Sequence, residues 1–196
     1  TRIAVTGGKD KAEVGGYGLT TQSSVYVLEL GKSPQKLTDD STRPHANGAG
    51  FSVTAGSPSM SWPESGVGIV FGADSKGQSH VAIANPDSPG DVRLVSDGWS
   101  ITELAISSQA GFAVVAASSP TSHGELFLID LNSGDVHTTT HLNSRFFDNH
   151  DVAGLEKFTI DNGGFEIESR VWFPADFDPA KKYPLLLDIH GGPHSA

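Results

Sequence analysis

The sequence predicts a mostly β fold in two parts, and three observations predict it. Glycine is abundant, 23 of 196 residues, and only 18% of residues are charged, which suits a globular chain dense in turns. Two landmarks recur at one spacing: Gly66 and Gly111 are 45 residues apart, and so are Asn85 and Asp130. The chain then closes on a different pattern, Leu185-Leu186-Leu187-Asp188-Ile189 followed by His190-Gly191-Gly192-Pro193. Four short strands per roughly 40–45 residues is the period of a β-propeller blade. A strand-sized apolar run ending in glycines suits a central parallel sheet covered on both faces. The expectation is a partial β-propeller of about three blades, followed by the first strands of an α/β-hydrolase domain.

Taken in order, Arg2 to Thr6 is a β-branched strand closed by a Gly7-Gly8 turn, and Lys9 to Ser24 is polar and glycine-rich, a long loop. Val25 to Leu30 is a strand, turned by Gly31-Lys32-Ser33-Pro34 into Gln35 to Thr38. Asp39 to Gly56 is loop-like. Ser61 to Gly66 turns into the strand Gly68 to Phe71, and Asp74-Ser75-Lys76-Gly77 turns into His80 to Ala84. The turn from Asn85 to Gly90 leads to Val92-Arg93-Leu94-Val95. Ser108 to Gly111 turns into Phe112 to Ala116; Leu126 to Leu131, the turn Asn132 to Asp135 and Val136 to Thr139 complete a second copy. The opening segment is a looser third copy.

Around Asn143 the pattern breaks. Ser144 to Ala153 is a polar connector, which sets the division: residues 1–150 hold the C-terminal propeller blades and 151–196 open the hydrolase domain. Glu156 to Ile160 and Phe165 to Phe173 alternate on either side of Asp161-Asn162-Gly163-Gly164, the signature of a β-hairpin. Pro174 ends it, and Phe177-Asp178-Pro179 turns toward the apolar run.

A formal charge of −10 without a basic run argues against a nucleic-acid surface. No apolar stretch approaches membrane-spanning length, so no membrane partner is expected. The absence of cysteine excludes disulfides and thiolate metal sites. His137 and His141 are four apart, a metal-binding spacing on a helix but not on a Thr-rich strand and its exit. No metal or cofactor is expected. Trp62, Trp99 and Trp172 are expected to pack between blades or under the hairpin. The cytoplasm is the expected compartment, with secretion the alternative, and oligomeric state is left open. Because Thr1 is not a start methionine and Ala196 follows directly on a motif that should lead into a helix, the chain is expected to be an internal piece of a longer protein.

The glycines after Ile189 admit backbone angles closed to other residues and bring bare amides close to a ligand. Such a loop N–H stabilises the oxyanion in α/β-hydrolases. Propeller-type blades, a connector, a hairpin ending in Pro, Lys182-Tyr183-Pro184, an apolar strand and His-Gly-Gly-Pro follow one another here. That order resembles the prolyl oligopeptidase family of serine peptidases, and His190-Gly191-Gly192-Pro193 is similar to its acylaminoacyl-peptidase and dipeptidyl-peptidase-V-like branch. The resemblance is good from about Ser57 to Ala196. It implies short peptides as substrates, an acyl-enzyme, and an oxyanion loop of His190, Gly191 and Gly192, with the Gly192 amide donating and His190 bracing. One departure matters: no Gly-x-Ser-x-Gly occurs in the chain. Gly77-Gln78-Ser79-His80-Val81 and Gly98-Trp99-Ser100-Ile101-Thr102 lack the second glycine. The nucleophile, acid and catalytic histidine are therefore expected beyond Ala196, and the chain alone should hydrolyse nothing. A non-catalytic propeller scaffold and an α/β-hydrolase esterase are the alternatives.

Overall fold

The computed structural model describes residues 1–8, 12–14, 17–19, 23–39, 41–44, 60–96, 99–119 and 122–189. Within these residues the regular structure is almost entirely antiparallel β, arranged in five separate sheets, none of them closed. The first comprises β1 (Arg2–Gly8), β4 (Ser23–Glu29) and β5 (Gln35–Lys36) in the order β1-β4-β5, and a small hairpin of β2 (Ala12–Val14) and β3 (Tyr17–Leu19) interrupts it. The second runs β10-β9-β8, from β10 (Val92–Leu94), β9 (Gln78–Ala84) and β8 (Ile69–Ser75). On its far side β6 (Arg43–Pro44) and β7 (Met60–Ser61) both pair with β8. The third is a four-stranded meander of β11 (Ser100–Ile106), β12 (Phe112–Ser119), β13 (Ser122–Asp130) and β14 (Val136–Thr138). After α1 (Ser144–Asp148) comes the hairpin of β15 (Gly154–Asn162) and β16 (Phe165–Phe173).

The 45-residue landmarks are turn chemistry. Gly66 and Gly111 both adopt positive φ, 79° and 68°. Asn85 and Asp130 each accept a hydrogen bond from the backbone N–H two residues on, at 3.0 and 2.8 Å, and each donates its own N–H across the turn. Short polar side chains are favoured there because they replace a backbone partner within the turn. The spacing is not uniform, however. Ile69 pairs with Ala84, whereas Ala113 pairs with Ile129. The third strands are thus 45 apart and the second strands one fewer, and an irregularity between Ala117 and Ser119 lies in the same ladder.

Packing explains the sequence pattern. Residues alternate across a strand, so β8 and β9 present Val70, Val81 and Ile83 to one side and Ile69, Phe71, Ala73, Ala82 and Ala84 to the other. The first set joins Val115, Ile129 and Leu131 in a core with the third sheet. The second joins Val25, Val27 and Leu37 in a core with the first. The middle sheet is therefore buried on both faces. Side contacts tie the layers further: the Arg2 guanidinium lies over Trp62 and pairs with Asp87, and Arg93 donates to the Leu131 and Asn132 carbonyls.

Several expectations are corrected. Gly7 and Gly8 continue β1 rather than turning it, because Ser24 and Ser23 supply their ladder partners. The loop expected over Lys9 to Ser24 contains β2 and β3, and β11 has no counterpart in the sequence reading. The polar connector holds the one-turn helix α1, whose Phe146 and Phe147 amides donate to the Asn143 carbonyl. Trp172, expected under the hairpin, is 55% exposed.

Glu125 anchors the stretch that leads into the connector. Its buried carboxylate accepts from the Thr140 hydroxyl at 2.6 Å, the Leu142 N–H at 2.9 Å and the Asn143 N–H at 2.8 Å. These bonds, the Thr140 hydroxyl first, hold its pKa below the ordinary glutamate value.

Two predictions follow from this packing. Phe71→Ala should cost about 3–5 kcal/mol by denaturant titration, because Phe71 is fully buried, whereas Leu30→Ala at a 99% exposed position should cost under about 0.5 kcal/mol. Since the folded pKa of Glu125 is depressed, its stabilisation is full above the unfolded value, 4.5, and is lost as pH falls through the folded one. Glu125→Gln should therefore flatten the acid limb of stability against pH; an unaltered limb would show that this carboxylate contributes nothing there.

Candidate functional site

The expected site divides between described residues and others. His190, Gly191 and Gly192, the expected oxyanion loop, lie outside the described residues. The run before them is described and differs from expectation. Residues 185–189 pair with no strand among the described residues, and Leu185, Leu186, Leu187 and Ile189 are 75–91% exposed. A strand is made by its neighbours: without a ladder partner and a covering layer, an apolar run gains neither hydrogen bonds nor buried area. The pattern announces a buried strand, but none of the described elements supplies the sheet.

What positions this segment is aromatic. Phe173, the last residue of β16, packs on Phe177 with ring centroids 4.4 Å apart, and Phe177 packs on Tyr183 at 5.2 Å. The Tyr183 hydroxyl accepts the Asp178 N–H at 3.0 Å, and Lys181 reaches Asp178 at 3.5 Å. The turn after Pro174 is thus folded onto the end of the hairpin and delivers Pro184 in a set direction. The sequence carries this signal as three aromatic residues flanking two prolines, and the sequence reading recognised only the turn.

The hairpin has two chemically distinct faces. Register places Phe158, Ile160, Phe165, Ile167, Val171 and Phe173 on one, and Lys157, Thr159, Glu168, Arg170 and Trp172 on the other. The polar face meets the tight turn between β8 and β9. Lys76 and Gly77 both take positive φ there, 48° and 63°, as a two-residue hairpin turn requires. Arg170 donates to the Gly77 carbonyl, and a Cβ on Gly77 would lie 2.9 Å from the Glu168 carboxylate. The apolar face carries Phe158, Ile160, Phe165 and Ile167 exposed.

The remaining candidates are dispersed. His137 is exposed on β14 and His141 is exposed between β14 and the connector; among the described residues no group of three acidic, histidine or cysteine side chains converges on a metal-sized site. Ser79 and Ser100, in the two incomplete serine motifs, lie on β9 and β11.

Comparison with known proteins places this geometry. No family model matches the chain. A probable dipeptidyl-peptidase 5 of Aspergillus niger is 27% identical over 146 residues, covering 70% of this chain and 19% of that protein. A probable dipeptidyl-peptidase 5 of Aspergillus terreus is 45% identical over 42 residues, 21% of this chain and 6% of that protein. The chain therefore spans less than a fifth of the length of these curated relatives. Among solved structures, the AtxE2 isopeptidase aligns with a TM-score of 0.64 at 13% identity, over 93% of this chain and 26% of its own. A puromycin hydrolase aligns with a TM-score of 0.55 at 20% identity, over 84% and 25%. The fold is that of a segment of such peptidases and hydrolases.

The contact between hairpin and turn is open to measurement. In Arg170→Ala, hydrogen exchange should rise across residues 154–173 while the amides of β12 and β13 keep their protection. Unchanged exchange in the hairpin would show that Arg170 does not hold it.

Proposed function

We propose that the chain is the junction between propeller and hydrolase domain in a serine peptidase of the prolyl oligopeptidase type, with residues 1–150 forming the last blades and 151–196 opening the hydrolase domain. The observation that carries this reading is an order of parts. Face-packed antiparallel sheets are followed by a connector, a hairpin that forms a sheet of its own and rests on the β8–β9 turn, and an apolar run into His-Gly-Gly-Pro, in a chain similar over 146 residues to a probable dipeptidyl-peptidase 5. Both solved neighbours named above are, by name, a hydrolase and an isopeptidase, which favours hydrolysis of amides over binding alone.

In this reading the serine nucleophile, its acid and its histidine come from sequence beyond Ala196. The serine oxygen attacks the peptide carbonyl while the histidine takes its proton; the same proton then goes to the departing amine, leaving an acyl-enzyme that water hydrolyses. The part of this chain is to hold the Gly192 N–H where negative charge develops on the carbonyl oxygen. His190 braces that loop, and the propeller admits short or flexible peptides. Substrates are short peptides cleaved near an N-terminus that is either acylated or free.

The test uses the intact parent protein. It should cleave alanyl-alanyl or acetyl-alanyl p-nitroanilide and be labelled by a fluorophosphonate at the serine of a Gly-x-Ser-x-Gly, while residues 1–196 alone should do neither. Gly192→Pro, which removes the donating N–H, should lower kcat by about 10²–10³. Hydrolysis of p-nitrophenyl esters without amides would make it an esterase. An unlabelled, inactive parent would leave a propeller scaffold and end the proposal.

A further inference from the structure

A groove of about 770 Å³ runs along β10, bounded by the turn from Ser75 to Gln78, by Trp99, and by Ser133 and Val136 of the next sheet. Its size falls within the several hundred to roughly 1,000 Å³ of ligand clefts. Three observations point to what it takes.

The first is backbone polarity. β10 is the end strand of its sheet, bonded to β9 and to nothing on its other side among the described residues. The Val95 N–H donates to the Val81 carbonyl at 2.8 Å, and Leu94 lies opposite Ala82. In an antiparallel ladder inward-bonded and outward-facing residues alternate. The N–H and C=O of Leu94 therefore face outward along the open edge, and Leu94 lines the groove. An edge of this kind is a template for an added extended segment.

The second is charge. The chain carries a formal −10, yet the groove presents Lys76 and Arg93. Among the described residues neither has a carboxylate partner: Arg93 donates to backbone carbonyls, and Lys76 makes no ion pair. No acid lines the groove among the described residues.

The third is rigidity. Trp99 is stacked on Phe127 with centroids 4.5 Å apart, and its carbonyl accepts the Ser79 N–H. The buried His80 ring sits between the carbonyls of Ser96 and Ser75, tying the turn to the segment after β10. A fixed aromatic shelf and a braced floor reduce what a ligand must order on binding.

We propose that this groove binds a short, extended acidic peptide segment, which adds to the sheet through the Leu94 backbone and sets its carboxylates against Lys76 and Arg93. Arg93 to Ser96, which line the groove, match roughly four residues of such a segment at about 3.3 Å per residue. The overall negative charge disfavours long polyanions, so a locally acidic peptide is the ligand rather than a nucleic acid. Binding needs no hydrolysis and does not rest on the peptidase reading.

The experiment is calorimetric titration of the intact protein, treated beforehand with a fluorophosphonate, with acetyl-Ala-Glu-Val-Glu-amide and its Gln-for-Glu counterpart. The acidic peptide should bind saturably and more tightly than the neutral one. Lys76→Gln should weaken it about threefold to fivefold, as for one exposed charge pair. Leu94→Pro removes an outward N–H that the β9 ladder does not use; it should retain the melting transition and weaken binding about threefold to tenfold, one edge hydrogen bond being lost. Equal affinity for the two peptides, no saturable binding at millimolar concentration, or binding unaffected by both variants would overturn the proposal.

Discussion

The structure depends on a sheet with no outside. β8 and β9 contribute alternate side chains to two separate cores, Val70, Val81 and Ile83 to one and Ile69, Phe71, Ala82 and Ala84 to the other. Ile69 to Ala73 of β8 and His80 to Ala84 of β9, which pair with one another, are buried without exception. Such a sheet holds its register tightly, because a slip of one residue would exchange the two sets and place Phe71 where Val70 fits. The neighbouring sheets are less constrained: β12 and β13 alternate buried with exposed or half-buried residues, as a layer with one covered face does.

That distinction decides what the sequence discloses. Continuous apolar runs such as Ile69-Val70-Phe71 and Val81-Ala82-Ile83 are legible as strands, and the turns between them are legible because their residues do specific work. Asn85 and Asp130 close turns through their side chains, and Gly66 and Gly111 occupy left-handed backbone. The strand β11 escapes for an equally physical reason. Its buried residues Ile101 and Leu104 stand three apart, since the ladder to β12 shifts register between Ile101 and Glu103. A bulge of this kind breaks the two-residue period that reveals strands. The Lys9 to Ser24 segment hides β2 and β3 among glycines and polar residues, where neither period nor composition speaks for a strand.

The candidate site is legible in a different and narrower sense. His-Gly-Gly-Pro after an apolar run states which residues could form an oxyanion loop, but in the proposed reading the chemistry would lie in the direction of one amide. That direction would be set by a sheet that paired with the run. Residues 185–189 show the difference: they carry the composition of a central strand and, unpaired, remain exposed. Composition proposes the strand, and only a partner makes it.

The approach to that segment, by contrast, is already fixed. The hairpin is held to the β8–β9 turn by Arg170 on its polar face, and the ring sequence Phe173, Phe177, Tyr183 folds the following turn back on its end. The opposite face of the hairpin, with Phe158, Ile160, Phe165 and Ile167, is exposed like the leucines that follow. Exposed apolar area of this extent is costly in water, on the order of 25 cal/mol for each Å² left uncovered. A covering layer that buried both would also give the run its ladder, so strand formation and site formation would be one event. The hairpin would then act as the rigid arm of that event, carrying the orientation of the face-packed sheets through Gly77 and Arg170 to the backbone that presents the amide in the proposed reading.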